Sequence, residues 1–381
     1  MPHTRERMVP SDIRARAFAM HRTYARTASA LSLFVWIIFF LWMWAYLHDT
    51  REAFVRMCLL YALSQVSALV LTPYASSRLA RGVRCTMANG ILCASAAFAF
   101  VGLLALVGPS SPAASLWAMV AVLLGAHRAF YYVPYMLESS TFPLGLSTGL
   151  PILVAPFLFG LALMYSIPLA CVAASALLLI SGIPLLRIPE SYERYTWGYR
   201  ESFSKLLDPR FAGFIDTSLT QGIEAMALYM LWPFVIFFVL GGSFFWLGGI
   251  LSISFILAML VRSAVSRPLR TLSPWVHGLA GGSAWILRLA VATPVGMVLT
   301  QWYAIVVSPH PHDIYDGAAD NSTYIDEFSA LKEMSRAAGR LSLALITALA
   351  AGLIGIPFAI MIAFVVAGTA AFYSAHVLRG E

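Results

Sequence analysis

Twelve predominantly apolar runs of 16–29 residues recur along the chain, at 29–47, 53–73, 86–107, 113–135, 147–166, 167–186, 212–240, 243–262, 274–290, 292–308, 339–354 and 356–376. A helix crosses the hydrocarbon layer of a bilayer in about 20 such residues, and lipid tolerates only structures that satisfy their own backbone hydrogen bonds. A bundle of membrane helices is therefore the fold class that these runs predict. Charge supports it: only 11% of the 381 residues are Asp, Glu, Lys or Arg, against about 25% in soluble domains. A water-soluble enzyme, a nucleic-acid binder and a disordered scaffold are all excluded by that shortage. The four cysteines, Cys58, Cys85, Cys93 and Cys171, are singly placed in or beside apolar runs. They read as small core hydrophobes, with neither disulfide nor zinc spacing.

The net charge of +7 reads as a topology signal. Six arginines (Arg5, Arg7, Arg14, Arg16, Arg22, Arg26) precede the first run, which is of full membrane length with no small-residue cleavage site after it. This start reads as a cytoplasmic basic tail over 1–28 and a retained first span, not as a secretory signal. Counting onward, 21 of the 25 Lys and Arg residues fall on the side of the N-terminus, and the opposite loops hold only Arg51. Losing one helix would scramble that alternation. The positive-inside rule then places both termini of this multi-pass protein in the cytoplasm. Ser166-Ile167-Pro168, Ala292-Thr293-Pro294 and Gly355-Ile356-Pro357 read as tight hairpins, because proline is tolerated in the first turn of a helix.

The polar segment 187–210 divides the chain into six spans, 29–186, and six more within 211–381. The halves echo one another. Ser-Arg-x-x-Arg occurs at Ser77–Arg81 and again at Ser266–Arg270, and Glu138 with Gly145 is matched by Glu333 with Gly339. Offsets of about one half-chain favour a parallel six-helix repeat. On this 6+6 plan, its basic central loop and the basic stretch Tyr74-Ala75-Ser76-Ser77-Arg78-Leu79-Ala80-Arg81-Gly82, the chain resembles the major facilitator superfamily of secondary transporters. Gly125–Glu138 and the Glu333, Arg336, Gly339, Arg340 run resemble poorly characterised bacterial members. The resemblance implies two pseudo-symmetric six-helix bundles that rock about a central cavity. Arg78, Arg81, Arg267, Arg270, Glu333, Arg336 and Arg340 then become candidates for gating between them. The usual Asp of the stretch is Ser77 here, and the usual inner Gly is Ala80, so the family's charge latch lacks its carboxylate.

Ionisable groups at membrane depth cost roughly 2.5–3.5 kcal/mol each on insertion scales, which makes the few present here candidates for function. The fourth span carries His127, Arg128, Tyr131, Tyr132 and Tyr135. Arg128 lies some 15 residues in, or about 22 Å at 1.5 Å per residue. The spacing predicts Arg128, Tyr132 and Tyr135 on one face, with His127 and Tyr131 on the neighbouring stripe. A guanidinium beside aromatic hydroxyls suits an anionic or hydroxylated solute. The seventh span carries Asp216, Thr220 and Glu224 on one face, with Gln221 beside them. A carboxylate taken out of water holds a proton more readily, which suits Glu224 to proton coupling. Arg288 in the ninth span is a further candidate for lining the cavity.

His310, His312, Asp313, Asp316 and Asp320 lie in the loop before the eleventh span, without regular ligand spacing, and read as solvated. Residues 324–338 read as an amphipathic helix at the membrane surface. There is no GxxxxGK[ST] nucleotide loop, so active transport would draw on an ion gradient. These readings converge on a secondary active transporter that moves a small polar or anionic solute, coupled to H+. It meets lipid but no nucleic acid, and needs no cofactor or metal. The alternatives are a membrane-embedded enzyme acting on lipid-linked substrates, and a transport-inactive receptor or assembly protein.

Overall fold

The computed structural model describes the backbone of residues 11–141, 150–193, 195–270, 273–307 and 325–377. Among these residues every regular element is helical. The first half comprises α1 (Ser11–Ser29), α2 (Ser32–Leu47), α3 (Thr50–Ser77), α4 (Val83–Val107), α5 (Ser111–His127), α6 (Val133–Thr141), α7 (Leu150–Tyr165) and α8 (Ile167–Leu185). After the short α9 (Tyr199–Lys205), the second half comprises α10 (Ala212–Met226), α11 (Trp232–Val239), α12 (Phe244–Arg270), α13 (Pro274–Leu289), α14 (Pro294–Val307), α15 (Ile325–Ile354) and α16 (Ile356–Val377). Nine helical segments among the described residues are long and apolar enough to cross a membrane, and α7 and α14 are shorter apolar helices.

Local chemistry sets the boundaries. Asp49 caps α3 by accepting from the backbone N–H groups of Arg51 and Glu52 at 2.8 and 3.1 Å. Ser166 caps α8 and Pro168 occupies its first turn. Gly355, at φ +99°, makes the turn between α15 and α16 that an L side chain would resist.

Three internal packings repeat. α4 lies on α8, α3 on α5, and α1 on α8; six spans later α13 lies on α16, α12 on α14, and α10 on α16. The two halves meet along two seams, α3 against α15 and α7 against α12. The same six-span step exchanges these seams, as a pseudo-two-fold axis requires. At the α7/α12 seam a Cβ on Gly160 would stand 2.4 Å from the Phe244 carbonyl oxygen, and one on Gly248 2.3 Å from that of Pro156. The backbones touch there because side chains are absent. At the ends predicted to face outward, the Phe40 ring meets Phe234 at 5.0 Å and Phe238 at 5.2 Å, and Phe34 meets Phe244 at 6.1 Å. Arg51 Nε also donates to the Ala351 carbonyl at 2.9 Å. The two bundles are thus closed on one another at these ends.

Two stretches differ from the sequence reading. Residues Ser11–Ser29, read as part of a basic tail, form a helix whose Ala17, Phe18, His21, Ala25 and Ala28 are buried. Four arginines lower its mean hydropathy and hide that apolar face. Residues 325–338, read as a separate surface helix, are the first half of the 30-residue α15. Leu331, Met334 and Ala337 are buried there. The polar groups of this stretch find partners between helices, so the helix runs straight on.

Candidate functional site

The fourth span is not one regular helix. Between α5 and α6, residues Arg128–Tyr132 form a widened, π-helical turn, and Ala227–Leu231 do the same between α10 and α11. Such turns insert one residue and shift the faces that follow; they recur at functional sites. The shift corrects the expected stripe. His127, Tyr131 and Tyr135 stack in a row, with centroids 5.1 and 5.5 Å apart. Arg128 and Tyr132 instead face a cavity together, and Tyr135 leaves them to accept a 2.7 Å hydrogen bond from Arg26. The row is anchored at its His127 end and at its middle. His127 Nδ1 donates to the Gly90 carbonyl at 2.9 Å. His21 Nδ1 faces the Ser181 carbonyl at 2.8 Å, so its Nε2 accepts from the Tyr131 hydroxyl at 3.0 Å. α4 comes this close only because residue 90 is glycine, where a Cβ would stand 2.7 Å from that of Tyr131.

The cavity measures about 60 Å³ and its lining residues all belong to the first half: Ser29, Ser32 and Trp36, Ser64, Ala94 and Phe98, and Leu124, His127, Arg128 and Tyr132. Among the described residues Arg128 has no hydrogen-bond partner, and it lies within electrostatic reach of Glu333.

Beside it, several charged and phenolic groups converge from both halves. Tyr132 and Tyr229 are 40% and 49% exposed. Arg26, Arg128 and Arg340 stand within electrostatic range of Tyr229. On α15, Arg340 pairs with Glu333 at 2.8 Å, and its Nη1 reaches Gln65 of α3 at 3.5 Å. Arg336 Nε donates to Gln221 of α10 at 3.0 Å. Four arginines and one carboxylate give this region a strong positive bias.

Glu224 lies apart from Arg128, inside the second bundle. It is hydrogen-bonded to Trp285 and within electrostatic range of Arg288. Arg288 is 2% exposed. It lies 4.0 Å from the Trp285 ring centroid and 5.1 Å from that of Trp232, and donates to Gln301 at 2.8 Å. Its Nε and Nη1 have no hydrogen-bond partner among the described residues. Asp216, nearer the start of α10, accepts from the Tyr373 hydroxyl of α16 at 3.4 Å.

Among the gating candidates, Arg78 lies over the Tyr74 ring and bonds its hydroxyl, while Arg81 is exposed. The helical backbone reaches Arg270, but the side chains of Arg267 and Arg270 lie outside the described residues, as do Glu138's side chain, Gly145 and the loop bearing His310, His312, Asp313, Asp316 and Asp320. Sequence reasoning missed Glu190, which pairs with Arg84 at 2.8 Å and accepts from two backbone N–H groups opening α4. It also missed Glu327, buried on α15, which accepts from the backbone and hydroxyl of Thr196 at 2.9 and 2.6 Å. Arg26 was hidden by its assignment to the tail.

The repeated packing and its pair of exchanged seams have counterparts among solved structures. The nucleoside transporter NupG matches with a TM-score of 0.60 at 14% identity, over 95% of this chain and 99% of that one. The human organic anion transporter MFSD10 (TETRAN) matches at 0.63 and 13%, over 96% and 99%. The chain shares the fold of these solved transporters. A peptide transporter POT in complex with alafosfalin matches at 0.61 and 12%, over 96% of this chain and 93% of that one. No protein-family profile matches the chain, and no curated protein matches it in sequence.

Proposed function

We propose that this chain is a secondary active transporter that moves a small polar or anionic solute across the membrane by alternating access, in symport or antiport with H+. The observation that carries the reading is Arg128. It is a guanidinium at membrane depth, without a hydrogen-bond partner among the described residues, on the wall of a cavity and beside a positively charged space between two bundles. A charge in that position is expensive unless a ligand uses it. Solved neighbours with this fold are named as nucleoside, organic anion and peptide transporters, which supports the class.

In this reading the first bundle (29–186) recognises the solute, through Arg128 and Tyr132, with His127 and Tyr131 holding the wall. The second bundle (211–381) carries the proton on Glu224. Segment 187–210 links the halves, and both termini face the cytoplasm of a bacterial-type cell membrane. Arg78, Arg81, Arg267, Arg270, Glu333, Arg336 and Arg340 control their rocking, with Gln221 joined to that set through Arg336. Asp216 and Arg288 flank the proton path.

The test is transport into proteoliposomes of a solute found by thermal-shift screening. Glu224→Gln should abolish uptake driven by a pH gradient while leaving solute counterflow intact. Gradient-driven uptake at the wild-type rate in that variant would refute the coupling role.

A further inference from the structure

The walls of the small cavity carry more information than a positive charge. Its charged donor is Arg128, and Trp36 and Tyr132 bring a neutral indole N–H and a hydroxyl; the serine hydroxyls and His127 face it as acceptors. Ser29 Oγ donates its hydrogen to the Ala25 carbonyl at 2.7 Å, Ser32 to the Ser29 carbonyl at 2.6 Å, and Ser64 to the Tyr61 carbonyl at 2.6 Å. A hydroxyl has one hydrogen and two lone pairs, so lone pairs are what these three serines retain for a ligand, although one of Ser64's already accepts from Gln65 Nε2 at 2.8 Å. His127 behaves alike. With Nδ1–H bound to Gly90, the neutral ring offers Nε2 as an acceptor. A bare oxyanion on Arg128 would leave the serine and His127 lone pairs without a donor.

We infer that the cavity binds a short carboxylic acid bearing a hydrogen-bond donor, an ammonium or a hydroxyl, on its α-carbon. The carboxylate would lie on Arg128, with the α-donor shared among the lone pairs of Ser29, Ser32 and Ser64. Size agrees. A volume of about 60 Å³ holds about four to six water-sized groups, the bulk of a compound with five or six heavy atoms. The inference rests on the transporter reading for its physiological meaning, but the binding chemistry stands on the cavity alone.

The test uses the full-length protein in lipid nanodiscs, with L-alanine, L-lactate, propionate and inorganic phosphate as probes in calorimetric and thermal-shift titrations. Alanine or lactate is expected to bind at least about tenfold more tightly than propionate, which has the size and charge but leaves the acceptors unmet. Arg128→Gln should remove binding of both. Ser32→Ala, a mild change at a half-buried position, should weaken alanine or lactate severalfold and leave propionate unchanged. Equal affinity for propionate, binding of phosphate alone, or no binding by any probe would overturn the ligand class. Binding of alanine or lactate without their counterflow would instead defeat the transporter reading and leave the ligand class standing.

Discussion

Arg340 holds the Glu333 carboxylate at 2.8 Å across two turns of α15, and both side chains are buried. The pair sits on the seam where α15 meets α3, and Arg340 also reaches Gln65 on the far side of that seam. Separation of the halves there would cost Arg340 its contact with Gln65, but not its carboxylate. The charge stays compensated whichever way the bundles lean.

That arrangement predicts a strongly unequal pair of substitutions. Arg340→Met leaves Glu333 buried without its closest partner and should destabilise the protein by about 3–5 kcal/mol, whereas Arg340→Met with Glu333→Leu should recover most of the loss. Thermal unfolding in detergent compares the two. A double variant no more stable than the single one would contradict the assignment of the pair.

Close backbone contact makes a second prediction. A Cβ on Gly222 of α10 would stand 2.2 Å from the Arg336 carbonyl oxygen, and one on Gly339 of α15 2.0 Å from that of Leu219. Alanine at either position forces the helices apart, and a loss of about 1–3 kcal/mol is expected. Gly182→Ala, where nothing stands within 4 Å, should instead be neutral or stabilising by up to about 1 kcal/mol. Unfolding temperatures of the three variants decide the matter.

Arg288→Lys tests the cluster around Glu224. A compact ammonium cannot lie flat on the Trp285 and Trp232 rings as the guanidinium does. A loss of about 1–2 kcal/mol is expected, together with a shift in tryptophan emission. An unchanged spectrum and melting temperature would show that the stacking contributes nothing.

A pH prediction concerns the central segment. Asp208 accepts from the Arg210 guanidinium at 2.7 Å and from its backbone N–H at 3.1 Å, which holds its carboxyl down at about 2. A carboxyl lowered in the folded state contributes stability that is fully present above its unfolded value, about 4, and is lost as pH falls through the folded one. Arg210→Ala should therefore lower stability at neutral pH, with the gap to wild type closing between about pH 4 and pH 2. A gap independent of pH would rule the pairing out.

The helices were legible because lipid demands long apolar runs, and the Lys and Arg alternation gave their count a second check. Partners were harder to read. Glu224 and Arg288 stand 64 residues apart in sequence, and no periodicity says that α13 brings Trp285 and Arg288 to α10. The stripe of Arg128, Tyr132 and Tyr135 followed a regular period that the widened turn at 128–132 breaks. Nothing local marks that turn. Arg26 and the face of α1 could have been found from the apolar spacing of Ala17, Phe18, His21, Ala25 and Ala28, which four arginines obscured. The α15 extension was obscured likewise: charges that looked solvent-facing, Glu333, Arg336 and Arg340, are matched by Gln65, Gln221 and one another.

The glycines of the α7/α12 seam have a mechanical implication. Interlocked side chains act as gear teeth: a helix that moves past another must lift each knob from its hole. At Gly160 and Gly248 there are no teeth. One rod can roll or glide over the other as a smooth bearing, so that large displacements at the ends of the molecule need only slight rearrangement at the pivot.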